Sequence, residues 1–365
     1  VRRNLAVMYD AQENPAAAAG LVNLGSAGSS YDLTAVGSGD KIDGGWICCD
    51  TGWAMAGALP EASRVMGAGY TGEYVGQQTG GSGGGGYCTV ISTMAIEGAS
   101  SSGAQDIAIM LGSVSKDATG MYVTGLSSGW TYYRLTTTEG DVGSALATRS
   151  GAVDAEHTTG CFTNGALVVR EKVTASSAAV NKGIARVTLG NLRKGVEYYW
   201  KGQLGCVRIY TDVLSDREIA FNAAVDAVRY RGVSAASAPW PEDIGYRNGR
   251  LEASLTITYN ESRGTASVGG VKIPSGVPTA VPMVGGEATF TVTPVEGARF
   301  DHIEGVPWTV NPTDSTVTVQ AAESCKFALV FAKDCVIPAS AYIQNGLVIQ
   351  YDGLENAAAD GNLGN

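Results

Sequence analysis

Residues Gly202 to Gly232, GQLGCVRIYTDVLSDREIAFNAAVDAVRYRG, join a strand directly to a capped helix. From Gln203 to Tyr210 the apolar Leu204, Cys206, Val207, Ile209 and Tyr210 fit a strand that buries at least one face. The chain turns over Thr211 to Leu214. Ser215 stands three residues before Glu218, the spacing at which a serine oxygen takes a first-turn amide while the carboxylate reaches back. Asp216 adds negative charge where the helix dipole is positive. The helix is predicted to run to about Tyr230, with Ile219, Ala223, Ala227 and Tyr230 on one stripe and Gly232 as its stop.

Upstream, Cys161-Phe162-Thr163-Asn164-Gly165-Ala166-Leu167-Val168 predicts a hairpin, because Asn-Gly suits a two-residue turn with positive φ at both centres. Gly183 to Asn191, GIARVTLGN, is a further strand candidate. Taken together, V-R-I-Y with L-S-D-x-E-I, the N-G hairpin and the L-G-N strand resemble the closing part of laminin-G-like, concanavalin-type lectin sandwiches of bacterial surface proteins. The resemblance covers roughly the last third of the first domain. It implies an all-β, concanavalin-like jelly-roll sandwich with a short C-terminal helix.

Composition fits an extracellular all-β chain. The 365 residues are 44% hydrophobic and only 16% charged, with 50 glycines, too long for one typical domain and rich in turn-formers. The net charge of −10 offers no basic footprint for a phosphate backbone, so nucleic acid is not an expected partner. Seven irregularly spaced cysteines, two of them adjacent as Cys48-Cys49, match neither a disulfide scaffold nor a C-x-x-C metal site. No apolar run is long enough for a membrane span.

An internal repeat sets the larger organisation. LAVMYDAQENPAA from Leu5 realigns with LVIQYDGLENAAA from Leu347, matching Asp10, Glu13 and Asn14 to Asp352, Glu355 and Asn356. The spacing is that of a whole domain, so residues 334–365 are expected to be a linker and the start of a second sandwich copy. Within the first copy, Tyr87 to Ile96, Gln105 to Leu111, Gly120 to Leu126 and Trp130 to Thr137 read as strands in sandwich rhythm. Thr79 to Gly86, TGGSGGGG, lacks a Gly-Lys-Ser/Thr ending and reads as a surface loop, not a phosphate cradle. Residues 233–250, with Pro239 and Pro241 around Trp240, read as a linker between a sandwich at 1–232 and a small β-rich second domain at 251–333. In that domain Thr291-Val292-Thr293-Pro294, Gly297, Phe300 and the later Thr316 to Val319 resemble an internalin-type B-repeat, with an Ig-like module as the alternative.

Little in the chain points to catalysis. His157 and His302 are the only histidines and fall in different expected domains. The paired E-x-D-x-E glutamates of sandwich glucanases are missing, and Glu97, Asp106 and Glu171 stand singly. The chain is therefore expected not to be an enzyme. Asp10, Glu13 and Asn14 are oxygen donors at a strand end and are candidate Ca2+ ligands; the alternative is that they bond the loop to itself. For sugar binding, Trp46, Trp53, Tyr70 and Tyr74 lie in the glycine-rich stretch Asp40 to Gly76 and are candidates for a stacking platform. Each is equally a candidate core residue, the commoner fate of an aromatic in a sandwich.

The reading is a non-catalytic extracellular or cell-surface module of a large repetitive bacterial protein, adhesin-like, that recognises a glycan or glycoprotein and works beside tandem copies of itself. The alternatives are a structural spacer in a surface fibre and an accessory or degenerate glycoside hydrolase module.

Overall fold

The strand Tyr199–Tyr210 is central to the first unit of the computed structural model, and four strands converge on it. Tyr70–Ser82 runs antiparallel along its length, from Tyr210 opposite Thr71 to Tyr199 opposite Ser82. Leu5–Asp10 and Trp46–Cys49 also pair with it antiparallel, and Tyr87–Ser92 meets it at Tyr199. The structure describes residues 1–14, 20–67, 70–82, 87–93, 107–112, 119–123, 131–135, 142–150, 156–174, 183–191 and 199–333. The expected second copy at 334–365, Asp352, Glu355 and Asn356 included, lies outside them.

A bulge decides which side chains of the central strand face where. The register shifts between Leu204 and Cys206, so Gly205 is an extra residue that changes the strand's parity. Leu204 before it and Val207 and Ile209 after it all enter the core, with Tyr9, Tyr31, Trp53, Tyr74 and Trp200. Cys206, Arg208 and Tyr210 take the opposite face, which is also buried. The glycine is required there: a Cβ on Gly205 would lie 2.4 Å from Cδ1 of Tyr230.

On one side of the centre the sheet continues through Val142–Ser150 and Glu156–Thr163 to Ala166–Thr174; on the other it passes through Tyr87–Ser92, Thr188–Leu189, Trp53–Ala54 and Leu33–Ala35 to Gly20–Leu21. The expected all-β architecture holds, with one short α-helix among the described residues. The Asn164-Gly165 turn is as expected, with φ of 52° and 84° and Thr163 paired to Ala166.

Other expectations shift. Thr79 to Ser82 belong to the Tyr70–Ser82 strand rather than to a loop, since backbone ladder bonds to Trp200 and Lys201 need no side chain. Gly183 to Asn191 forms a strand only at Thr188–Leu189, with an isolated bridge from Ile184 to Val65. Its earlier backbone groups go to several partners, Ile184 to Val65, Ala185 to Leu59 and Val187 to Met55. The expected strands after Tyr87 are found as Tyr87–Ser92, Ile107–Gly112, Thr119–Val123 and Thr131–Leu135, and their other predicted residues lie outside the described ones, apart from Thr93.

The helix α1 spans Asp216–Tyr230 and carries the expected cap. Ser215 Oγ accepts from the Glu218 amide at 3.3 Å, and Glu218 Oε2 accepts from the Ser215 amide at 2.9 Å. Arg3 adds two bonds of 2.7 Å to the same carboxylate, so the cap ties the segment just before the Leu5–Asp10 strand to the helix. At the other end Gly232 has φ of 70°, and the Val233 amide returns to the Ala227 carbonyl. Ser215→Ala removes one acceptor and should lower unfolding stability by about 0.5–2 kcal/mol. An unchanged denaturation midpoint would show that Glu218 and Arg3 hold the helix start without it.

Residues 233–250 are not a free linker. The Trp240 ring packs on Phe221 of α1 at 5.8 Å between centroids, its Nε1 donates to the Ala235 carbonyl at 2.8 Å, and Ala238 and Ile244 are buried. The reason is apolar: Phe221 sits outside the expected helix stripe and needs a cover. By internal packing the first unit accordingly comprises Val1–Leu251 with Val284–Gly286, and the second comprises Glu252–Met283 with the described residues from Glu287 on.

The second unit is also built of strands. Arg250–Thr258 pairs parallel to Lys326–Lys333, which pairs antiparallel to Ala298–Glu304. Glu287–Pro294 lies between Gly264–Val268 and Thr316–Val319. Cys325, Phe327, Leu329 and Phe331 alternate into its core, where Phe327 stacks on Phe290 at 5.9 Å.

Candidate functional site

The loop after Leu5–Asp10 is held by its own strand end and by the far end of α1. Asp10 Oδ1 accepts from the Gln12 and Glu13 amides at 2.9 and 3.3 Å, closing the turn locally. The same oxygen accepts from Tyr230 Oη at 2.7 Å and from Arg229 Nη2 at 3.0 Å, some 220 residues later in the chain. Burial first, then the Cys206 thiol and the bond to Asp10, push the Tyr230 phenol far above its ordinary value, so it remains a donor.

Arg229 organises the surface of this corner. Its Nη1 lies 3.3 Å from Glu13 Oε1, and its Nε and Nη2 each donate to Gln12 Oε1 at 3.3 Å. Gln12 Nε2 returns a bond to the Arg229 carbonyl at 3.0 Å, and the guanidinium carbon sits 5.5 Å from the Tyr230 ring centroid.

Trp46 completes the corner from a third part of the chain. Lys41–Asp43 and Trp46–Cys49 form a hairpin whose two turn residues, Gly44 and Gly45, have φ of 57° and 80°. A side chain at Gly45 would come within 3.9 Å of Gln12 Cγ, so the hairpin tip lies beside the Asp10 loop. The Trp46 ring is tilted against Tyr230 at 5.5 Å and is half-buried, leaving part of the indole to solvent. One aromatic surface thus adjoins a carboxylate, a guanidinium and an amide.

The four expected platform aromatics do not come together as one open surface. Trp53 is 1% exposed and donates from Nε1 to the Cys48 carbonyl, and Tyr74 is 5% exposed; both are core residues. The reason is that they lie on strands, Trp53–Ala54 and Tyr70–Ser82, where a sequence rich in glycine reads as loop. Tyr70 packs half-buried against the core, its hydroxyl accepting from the Gly67 amide at 3.0 Å. Only Trp46 joins the polar corner.

The candidate calcium ligands Asp10, Glu13 and Asn14 have protein partners in the same place. Asn14 Oδ1 accepts from the Val22 amide at 2.6 Å and its Nδ2 donates to the Asp10 carbonyl at 3.2 Å, so its side chain is spent on the loop. Asp10 and Glu13 share the Arg229 guanidinium, which supplies the positive charge a cation would bring. A hard cation needs six or more oxygens, and among the described residues no three His, Cys, Asp or Glu side chains gather. Arg229, Gln12 and Tyr230 were not legible as site residues: Arg229 carries a helix-end signal and Tyr230 a core signal, with nothing local to pair either with Asp10.

A second charged cluster is internal. Arg208 lies between Glu73 and Asp226, with bonds of 2.6 Å to Glu73 and 2.9 and 2.5 Å to Asp226, and Asn222 closes it with two bonds to Glu73. All four are buried, so the cluster clamps α1 to the sheet and offers nothing to solvent. His157 lies on the Glu156–Thr163 strand, while His302 is exposed in the second unit with Nδ1 2.9 Å from Asp301.

No family model matches the sequence, and neither does any curated protein. Solved structures similar to the chain include the CBM40 of Ruminococcus gnavus IT-sialidase bound to alpha2,3 sialyllactose, at 16% identity over 42% of this chain and 82% of that one, with a TM-score of 0.32. The native heptameric SAP-like pentraxin from Limulus polyphemus matches at 13% identity over 54% and 85%, with a TM-score of 0.35. Trypanosoma rangeli sialidase matches at 9% identity over 62% of this chain but only 34% of its own, with a TM-score of 0.42. Likenesses of this strength assign no function to the chain.

Proposed function

We propose that the first unit is a non-catalytic carbohydrate-recognition module of a laminin-G-like kind, and that the corner formed by Trp46, Gln12, Glu13 and Arg229 is where it meets a glycan. The observation that carries this reading is the meeting of a part-exposed indole with polar groups from two distant segments, Asp10 to Glu13 and the end of α1. The apolar C–H face of a pyranose stacks on an aromatic ring, while carboxylate and amide groups take its hydroxyls. Every polar member is anchored by another, so little ordering remains to be done on binding. The module is extracellular or at the cell surface, adhesin-like, and carried in tandem; a single shallow site gains avidity from repetition. The second unit, resembling an internalin-type B-repeat, spaces successive copies.

A glycan array with the full chain tests this. Selective retention is expected, with no new reducing ends after prolonged incubation. Trp46→Ala should weaken retention roughly tenfold, the scale of a hot-spot aromatic worth about 1.4 kcal/mol. Its thermal midpoint serves as control for folding. Retention that ignores Trp46→Ala in a folded protein would move the site elsewhere, and release of reducing ends would overturn the non-catalytic part.

A further inference from the structure

We infer that this corner selects neutral glycans and rejects anionic ones; the inference rests on the carbohydrate reading above and adds the chemical class of the ligand. An anionic sugar, with a carboxylate or sulfate, needs a cation with free donors. Arg229 has few. Of about five guanidinium hydrogens, its Nε is directed to Gln12, one Nη1 hydrogen to Glu13, and the Nη2 pair to Asp10 and Gln12. One Nη1 hydrogen is left, so a second carboxylate could bind the guanidinium through two bonds only by displacing Glu13 or Gln12.

The charge balance points the same way. Asp10 and Glu13 share the one guanidinium of Arg229, so its positive charge is already answered within the corner. On the adjoining hairpin Asp43, paired in register with Trp46, is neutralised by Lys41 at 2.7 Å. Arg231 follows at the C-cap of α1, where the helix dipole is negative and a cation is already favoured. The chain as a whole carries −10, so the long-range field also repels anions. What remains for a ligand is an acceptor. Glu13 is 46% exposed on its side chain, and only its Oε1 is engaged by Arg229, so Oε2 can take a hydroxyl in a charge-assisted bond beside the indole. That combination suits a neutral pyranose.

The test uses immobilised neutral oligosaccharides and the same glycans bearing a terminal sialic or uronic acid, with the full chain at low and high salt. The wild type should retain the neutral member of each pair at least about fivefold more tightly, with the gap narrowing in high salt as repulsion is screened. Glu13→Gln removes a carboxylate charge and loosens Nη1 of Arg229. It should weaken the neutral glycan several-fold and narrow or reverse the discrimination. Trp46→Ala should weaken both members alike. Equal or tighter wild-type retention of the anionic member, lost in Trp46→Ala, would overturn this inference and leave the carbohydrate reading standing. A wild type that retains no glycan of either kind would overturn both.

Discussion

Arg208→Leu should lower the unfolding free energy by about 3–5 kcal/mol, since it leaves two carboxylates buried without their counter-ion. Glu73 and Asp226 both lose their guanidinium bonds, at 2.6 Å and at 2.9 and 2.5 Å, and only the Asn222 amide stays on Glu73. Arg208→Lys should recover little, because one ammonium cannot serve carboxylates on a strand and a helix through a planar fork. The penalty has a pH signature. Burial pushes the Glu73 carboxyl above its ordinary value even with Arg208 beside it. A carboxyl raised in the folded state contributes stability that is present below the ordinary carboxyl range and is lost as pH rises through its folded pKa. Acidification from neutral should therefore return part of what Arg208→Leu costs. Replacing Arg208, Glu73 and Asp226 together by apolar residues of similar volume should be far milder than the single change. Denaturant titrations at two pH values measure all of this, and a loss under about 1 kcal/mol for Arg208→Leu would show that the clamp is not a principal support of α1.

Asp40→Ala should come next, at roughly 3–4 kcal/mol, because one carboxylate gathers four backbone amides. Oδ1 accepts from Asp50, Thr51 and Gly52 at 2.7, 2.9 and 2.9 Å, and Oδ2 accepts from Gly37 at 2.8 Å. The residue is buried, so water reaches the orphaned amides only if the loop opens. Asp40→Asn keeps an oxygen for three amides and turns an NH2 toward the fourth, which should cost about 1–2 kcal/mol. Amide exchange at Asp50, Thr51 and Gly52 should quicken in the alanine variant while α1 stays protected. Exchange that rises uniformly through the unit would mean that the whole fold, not this loop, depends on Asp40.

Signals that act within a few residues are legible in the chain itself. Ser215 with Glu218 announces a helix start, Gly232 its end, and Asn164-Gly165 a two-residue turn, and each is found at its place. These features need only the geometry of neighbouring peptide units, so the surrounding fold has little to add. The same holds for the alternation from Cys325 to Phe331, whose period of two survives in the core of the second unit. The Tyr70–Ser82 strand is not legible in this way: its glycines suggest loop, and only ladder bonds to Tyr199–Tyr210 reveal it as strand.

The candidate site shows the division most clearly. Trp46, Trp53, Tyr70 and Tyr74 are equivalent by composition and local pattern, yet two enter the core, one packs half-buried against it and one reaches the polar corner. Asp10, Glu13 and Asn14 carry oxygen chemistry that suits calcium in isolation, and an arginine more than 200 residues away answers their charge instead. Glu218, Asn222 and Asp226 form a polar stripe on α1 that looks made for solvent, and all three are buried, the first under Arg3 and the others in the Arg208 cluster. The β class, the capped helix and its turns could be derived from the order of residues, because they depend on backbone preference and short-range pairing. Which aromatic stays at the surface and which charge meets which could not, because a residue type states what partner it needs and strand pairing across the fold states what partner it has.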